Sequence, residues 1–194
     1  MGDIHASLQP LKKILVKCQE YPNHKLVFLG DYFDYGTKLK ETLNTLINLD
    51  QNNVFLYGNH DWEFLQFLEK HGNSKSKRKE ILNHFSIGEE HVYWLSRFLK
   101  FSYQTKSAFF SHSGVDDRLP LEKQTIQSLL SSSFRGNLDH VTNKLIIQGH
   151  LPMRKIKKMN NHWFLDTGCG QGGTLSALVY PEFKILNSKC SSKL

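Results

Sequence analysis

Residues 25–36 read KLVFLGDYFDYG. Lys25 to Leu29 is a run of apolar and branched residues of strand length, stopped by Gly30, and the chain passes at once into a loop carrying Asp31 and Asp34. The arrangement returns three times: VFLY at 54–57 ends in Gly58-Asn59-His60-Asp61, AFFS at 108–111 runs into His112, and KLIIQ at 144–148 runs into Gly149-His150. Between the strands, Leu8, Leu11, Leu15 and Cys18, then Leu39, Leu43, Leu46 and Ile47, recur at helical spacing, with Pro10 placed where a first turn tolerates it. Trp62 to Lys70 and a stretch near His91 to Leu99 complete the helical segments. The C-terminal HWFLDTG, TLSALVY and FKIL are rich in strand formers and glycine and predict a small antiparallel region. Strand–helix alternation followed by strands predicts an α/β sandwich with a mixed sheet or two packed sheets.

Loops at the carboxyl ends of strands are where ligand sites assemble in such sheets, so polar groups far apart in sequence are expected to converge. With the opening Gly2-Asp3-Ile4-His5, the candidates are Asp3, His5, Asp31, Asn59, His112 and His150. Oxygen and imidazole donors without a thiolate set suit a hydrolytic metal such as Mn, Fe or Zn. Six donors are too many for one catalytic ion with open positions and suit two ions sharing a carboxylate. A pair of ions roughly 3.5–4 Å apart can clamp the oxygens of an in-line displacement at phosphorus.

A chain of 194 residues, 39% hydrophobic, is enough for one domain with a core, placed at residues 1–188 with a short polar tail at 189–194. The formal charge of +7 favours anionic ligands. The run Lys75-Ser76-Lys77-Arg78-Lys79 lacks interleaved aromatics, so it is read as a solvated loop or helix face, and no nucleic-acid partner is expected. No apolar stretch approaches a membrane span or a signal segment, which predicts a soluble, cytoplasmic protein. Cys18, Cys169 and Cys190 form neither a metal-type pair nor a disulfide framework and fit a reducing compartment, with Cys169 expected as a buried thiol. DTGCGQGG lacks the Lys-Ser/Thr ending of a nucleotide P-loop, and Asp116, Asp117 and Arg118 are expected in a solvated loop.

GDIH, GDYFDYG, GNHD, SHSG and GH, in this order, with LDTGCGQGGTLSAL near the C-terminus, resemble the calcineurin-like metallophosphoesterases. More narrowly they resemble the phosphoprotein phosphatase branch and its bacterial relatives, including symmetrical diadenosine tetraphosphatases. The resemblance runs from Gly2 to about Leu178 and implies a sandwich of two mixed β-sheets flanked by helices. It implies that Asp3 and His5 hold one metal, that Asp31 bridges both, and that Asn59, His112 and His150 hold the second. His60 would be the general acid, oriented by Asp34, and Asn59 and Arg135 would bind the substrate phosphate. The implied cofactors are two divalent ions, manganese first, with iron or zinc as alternatives, and the implied chemistry is attack of a metal-bridging hydroxide on a phosphomonoester. The implied substrate is a protein phosphoserine or phosphothreonine. The alternatives are a diadenosine tetraphosphate, cleaved symmetrically, and a metal- or phosphoprotein-binding module without catalysis.

Three departures from the family pattern stand out. Tyr35 occupies the position of a phosphate-gripping arginine, so phosphate binding should lean more on the metals and Arg135. Ala6 replaces a usual glycine. Family members place a hydrophobic strand before the first Gly-Asp, where this chain has only Met1. Either the start has been assigned downstream of the true one or the first core strand of the sheet is missing.

Overall fold

The structure is a computed structural model that describes residues 1–50, 52–133 and 136–190. Among the described residues ten strands and six α-helices form two layers of sheet flanked by helices. In the first layer β1 (Val27–Phe28) lies parallel to β2 (Val54–Leu56), which lies parallel to β3 (Leu99–Lys100), while β9 (Thr174–Val179) and β10 (Lys184–Lys189) form an antiparallel hairpin. The second layer has the order β4 (Ser102–Gln104), β5 (Ala108–Ser111), β6 (Leu145–Gln148), β8 (His162–Phe164), β7 (Lys157–Met159). Its central β5, β6 and β8 run parallel, and both edge strands are antiparallel to their neighbours.

No strand precedes α1 (Leu8–Cys18) among the described residues, yet the sheet is not left open there. The Met1 ammonium donates to Val27 O at 2.8 Å, the Leu29 N–H donates to Met1 O at 3.0 Å, and the Gly2 N–H donates to Ser176 O at 2.9 Å. The first two residues therefore stand between β1 and β9 and join the two pieces of the first layer. Upstream of that bridge the layers do not close: Met1, Val27, Leu29, Ile147, Leu165 and Ala177 line a largely apolar cavity of about 370 Å³.

Leu29, Leu56, Ala108, Phe110, Ile147 and Leu165 pack between the layers. That two-sided cover explains why β5 and β6 read as continuous apolar runs. On the outer face α1 turns Leu8, Leu11 and Ile14 inward, and it packs on β9, β10 and α2 (Leu39–Ile47). The remaining helices are α3 (Asn59–His71), α4 (Lys75–His84), α5 (Glu89–Phe98) and α6 (Ile126–Ser131). The basic run lies on α4, mostly exposed, with Arg78 in a two-point ion pair to Glu89 at 2.6 and 2.8 Å.

Several expectations are corrected. The C-terminal strands do not form one antiparallel region: HWF enters the second layer parallel to β6, because Trp163 and Phe164 are buried and need cover on both faces, whereas β9 and β10 close the first layer. Cys169 and Cys190 are bonded to each other, with Cα atoms 5.5 Å apart, so the expectation of no disulfide fails. The bond ties the glycine-rich loop after β8 to the end of β10, and Cys18 alone is a free thiol. The polar tail expected from residue 189 starts too early, since Lys189 ends β10 and Cys190 is buried in the disulfide.

Candidate functional site

The carboxyl ends of β1, β2, β5, β6 and β8 open on one edge of the sandwich. Asp31 follows β1, Asn59 and His60 form the first turn of α3 after β2, His112 follows β5, His150 follows β6, and Asp166 follows β8. Asp3 and His5 arrive directly from the Met1–Gly2 bridge. The loops are held by one residue, Asp61, whose Oδ2 accepts the Asp31 and Gly58 N–H groups, both at 2.9 Å. Its Oδ1 accepts those of Tyr32 and Phe33 at 2.9 and 3.3 Å. Burial lifts the Asp61 carboxyl to about 6 against the pull of these donors.

The sequence candidates converge. Atoms of Asp3, His5 and Asp31 lie within 4.8 Å of one another, all three buried. Asp31 Oδ2 is 3.8 Å from His5 Nε2, 3.5 Å from His112 Nε2 and 3.9 Å from His60 Nε2, so this oxygen lies between the two sets of ligand candidates. On its far side Asn59 Oδ1 is 3.0 Å from both His112 Nε2 and His150 Nδ1, and those two nitrogens are 3.2 Å apart. The His150 N–H donates to Asp3 Oδ2 at 2.9 Å and closes the ring of residues.

Divalent cations fit this donor set. His112 Nδ1 sits 2.8 Å from Leu29 O, and His5 Nδ1 sits 2.8 Å from Phe33 O. A carbonyl only accepts, so both protons are on Nδ1 and both Nε2 atoms present lone pairs. Burial pushes His112 well below the ordinary histidine range and His5 down to about 4, so neither ring carries a second proton at neutral pH. The His112 lone pair thus faces an amide oxygen at 3.0 Å, a contact between acceptors that a cation resolves. Among the described residues Asp3 Oδ1 is buried with no hydrogen-bond partner. Burial, with Asp166 and Asp31 nearby, drives the Asp3 carboxyl well up, and burial with Asp61 does the same to Asp31. Such carboxylates are stabilised as anions by a positive charge among them. Two glycines make the space: a Cβ at Gly149 would land on Asp3 Oδ1, and one at Gly58 on Asp31 Oδ1.

His60 stands beside the cluster with its Nδ1 2.5 Å from Asp34 Oδ2, which leaves Nε2 turned toward Asp31. Non-glycine residues with left-handed φ gather here: His5 (47°), Ala6 (51°), Asp31 (54°), Asp34 (66°), Tyr35 (58°) and His150 (65°). Each costs of order 1–3 kcal/mol, strain of the kind that concentrates where function fixes the backbone. The polar groups enclose a chamber of about 120 Å³ that also touches Asp166, Gly170 and Gln171. Arg135 lies outside the described residues. Asp116, Asp117 and Arg118 lie away from the chamber, on a separate shallow cavity, with Arg118 paired to Asp116 at 2.7 Å.

Asp61 and Asp166 were not among the sequence candidates. Asp61 stands inside the quoted GNHD, and its role depends on four backbone donors that no spacing reveals. Asp166 had a signal, since it follows the strand HWFL as Asp31 follows KLVFL.

The family model described as calcineurin-like phosphoesterase matches residues 1–177. The asymmetrical bis(5′-nucleosyl)-tetraphosphatase PrpE of Oceanobacillus iheyensis is 24% identical over 94% of this chain and 88% of its own length. Its namesake in Anoxybacillus flavithermus is 24% identical over 96% of this chain and 91% of its own. Among solved structures, one provisionally described as a diadenosine tetraphosphatase superposes with a TM-score of 0.80 at 20% identity, covering 99% of this chain and 92% of that one. A metallophosphoesterase from Sphaerobacter thermophilus superposes with a TM-score of 0.61 at 14% identity, covering 100% and 87%. Both share the two-layer sandwich. By the match over residues 1–177, the chain belongs to the calcineurin-like phosphoesterases, metal-dependent hydrolases of phosphoric esters.

Proposed function

We propose that the chain hydrolyses the phosphate chain of a dinucleoside polyphosphate such as a bis(5′-nucleosyl) tetraphosphate, using two divalent ions, manganese first. The observation that carries the hydrolytic reading is the position of Asp31 Oδ2, within 3.9 Å of three imidazole Nε2 atoms, with His60 held by Asp34 at the same oxygen. The names of the relatives support the nucleotide substrate and an asymmetrical cut, in place of the symmetrical one expected from sequence.

In this reading Asp3, His5 and Asp31 hold one ion, and Asp31, Asn59, His112 and His150 the other. When bound, the ions supply Lewis-acid polarisation of the phosphoryl oxygens and lower the pKa of attacking water. The protein's part is orientation and proton delivery. Asp34 accepts a hydrogen bond from the Nδ1–H of His60, so the Nε2–H of the protonated ring faces the leaving oxygen and passes its proton there as the P–O bond breaks, leaving the ring neutral. Arg135 and Asn59 bind the phosphoryl oxygens. The chamber, at about 120 Å³, is far below the about 300 Å³ from which pockets enclose drug-sized ligands, so it takes a phosphoryl group and leaves the rest of the substrate outside.

A phosphoserine or phosphothreonine protein is the second reading, favoured by an open groove of about 780 Å³ beside the chamber that would accept a peptide. A binding module without catalysis has no need of the His60–Asp34 pair. The test is hydrolysis by chelator-treated protein with Mn²⁺ restored, on diadenosine tetraphosphate, a phosphothreonine peptide and para-nitrophenyl phosphate. Metal-dependent release of a nucleoside triphosphate and monophosphate, faster than release from the peptide, is expected. Peptide turnover above dinucleotide turnover reverses the order of the two readings, and absence of metal-dependent turnover on all three sinks both.

A further inference from the structure

The chamber has one wall whose chemistry the hydrolytic reading does not use. Tyr35 lines the chamber and also lines the 780 Å³ groove that runs off it between the loop after β1 and the loop carrying Cys169 and Gln171. The residue is 44% exposed, high for an aromatic residue beside buried carboxylates. Its ring is nonetheless fixed in orientation: its centroid is 4.8 Å from that of His5 and 5.8 Å from that of His60, with interplanar angles of 88° and 76°. The backbone carries it there through consecutive left-handed residues, Asp34 and Tyr35, a strained turn that a merely solvated side chain would not need. Beyond the ring, Ser7, Gln9, Thr37 and Gln171 give the groove hydroxyl and amide groups, and Lys38 also lines it.

We infer that Tyr35 is the specificity residue for the leaving nucleotide: outside the chamber its base stacks on the Tyr35 ring, and its ribose lies along the hydroxyl and amide wall of the groove. The inference rests on the dinucleotide reading above and deepens it. A ring held by perpendicular contacts to two site imidazoles is preorganised, so stacking on it costs little ordering. Aromatic side chains hold any base by its π-face, which makes the interaction tolerant of base identity but intolerant of a substrate without a base. The residue makes no bond in the reaction and acts on binding.

The experiment compares diadenosine tetraphosphate with inorganic tripolyphosphate, which offers the same kind of scissile P–O–P bond and no base, on wild type, Tyr35→Ala and Tyr35→Phe. Expected is a fall of at least about fivefold in the ratio of kcat/KM for dinucleotide over tripolyphosphate in Tyr35→Ala, the low end for loss of one base stack. The fall should sit in KM for the dinucleotide, and Tyr35→Phe should restore the ratio to within about twofold because the ring face remains. If Tyr35→Ala changes both substrates by the same factor, or if Tyr35→Phe fares no better than Ala, the inference is overturned and the dinucleotide reading stands. A wild-type enzyme that cleaves neither compound overturns both.

Discussion

The opening residues join two regions of opposite character. At Asp3 and His5 the chain enters a buried cluster in which Asp3, Asp31, Asp61 and Asp166 lie among imidazoles, two of which, His5 and His112, burial keeps neutral with their Nδ1 protons committed to backbone carbonyls. Two to four residues upstream, at Met1, the chain borders an apolar cavity and offers a single ammonium, whose pKa burial pulls down to about 6. Both regions bury ionisable groups, but they relieve the cost differently. An isolated amine can shed its proton. A ring of carboxylates and lone pairs sharing one centre keeps its charge only if a cation arrives, and the strained loops that hold it there have no such easy relief. Density of unshared acceptors, more than burial of charge, separates a site from a packing accident in this molecule.

The sharpest way to break that contrast is Asp31→Asn, which keeps shape and the Oδ1 contact to the His60 N–H while removing the charge shared by both halves of the cluster. Turnover of para-nitrophenyl phosphate with Mn²⁺ should fall by at least about 10³-fold, a few kcal/mol of lost charge stabilisation. The metal-free protein should meanwhile unfold at a higher temperature, because a buried carboxylate in a like-charged cluster is gone. Retained turnover would mean that Asp31 is not the shared carboxylate.

Next in size is His60→Ala. If Nε2 protonates the leaving oxygen, the loss should be about 10²-fold on an alkyl phosphate, within the usual span for general acids. It should shrink on para-nitrophenyl phosphate, whose leaving group departs without a proton. An equal loss on both esters would assign His60 to binding.

A buried imidazole outside the cluster tests whether histidines here behave as neutral groups in the absence of a cation. His162 on β8 is fully buried, with Nε2 2.5 Å from Gln148 Oε1, and burial holds its pKa near 4. Its folded pKa lies below the unfolded value near 6.5, so the unfolded chain takes up the proton first and stability falls as pH drops from about 6.5 toward 4. Urea unfolding at pH 7.5 and pH 5.0 should show a loss in wild type that is about 2 kcal/mol smaller in His162→Leu. His5 shares this direction, so only the difference between the two proteins belongs to His162.

What the sequence made legible follows from range. KLVFL, VFLY, AFFS and KLIIQ announce themselves because two-sided burial forces continuous apolar runs, and the polar residue that stops each run marks the open edge of its layer. That is enough to bring Asp31, Asn59, His112 and His150 to one edge without coordinates, whereas Asp3 and His5 follow no apolar run and the role of His60 came only with the family resemblance. Asp61 escaped because it acts on the N–H groups of another loop, thirty residues back, by contacts that leave no periodic trace. The Cys169–Cys190 bond escaped because a separation of 21 residues means nothing until the β9–β10 hairpin brings its ends together. The Met1–Gly2 bridge escaped because two residues are too few for a pattern and enough for three hydrogen bonds.

The smallest expected effect is also the one that tests the apolar side of the comparison. At Gly149 any side chain collides with Asp3, whereas Ala177, buried on β9, faces the 370 Å³ cavity beside Met1. Ala177→Leu adds apolar volume where the layers leave a void, and cavity filling of this kind commonly gains 0.5–2 kcal/mol. A gain of about 1 kcal/mol corresponds to a rise of about 3 °C in Tm for a chain of this size, measured on the metal-free protein so that cation binding adds nothing. Manganese affinity should not change, because the substitution lies on the far side of the Met1–Gly2 bridge from Asp3. A lower Tm would mean that the layers already close over this space in solution and that leucine overpacks it. A weaker affinity for manganese would mean that Met1 and Asp3 move together, and that the two regions are one mechanical unit despite their opposite chemistry.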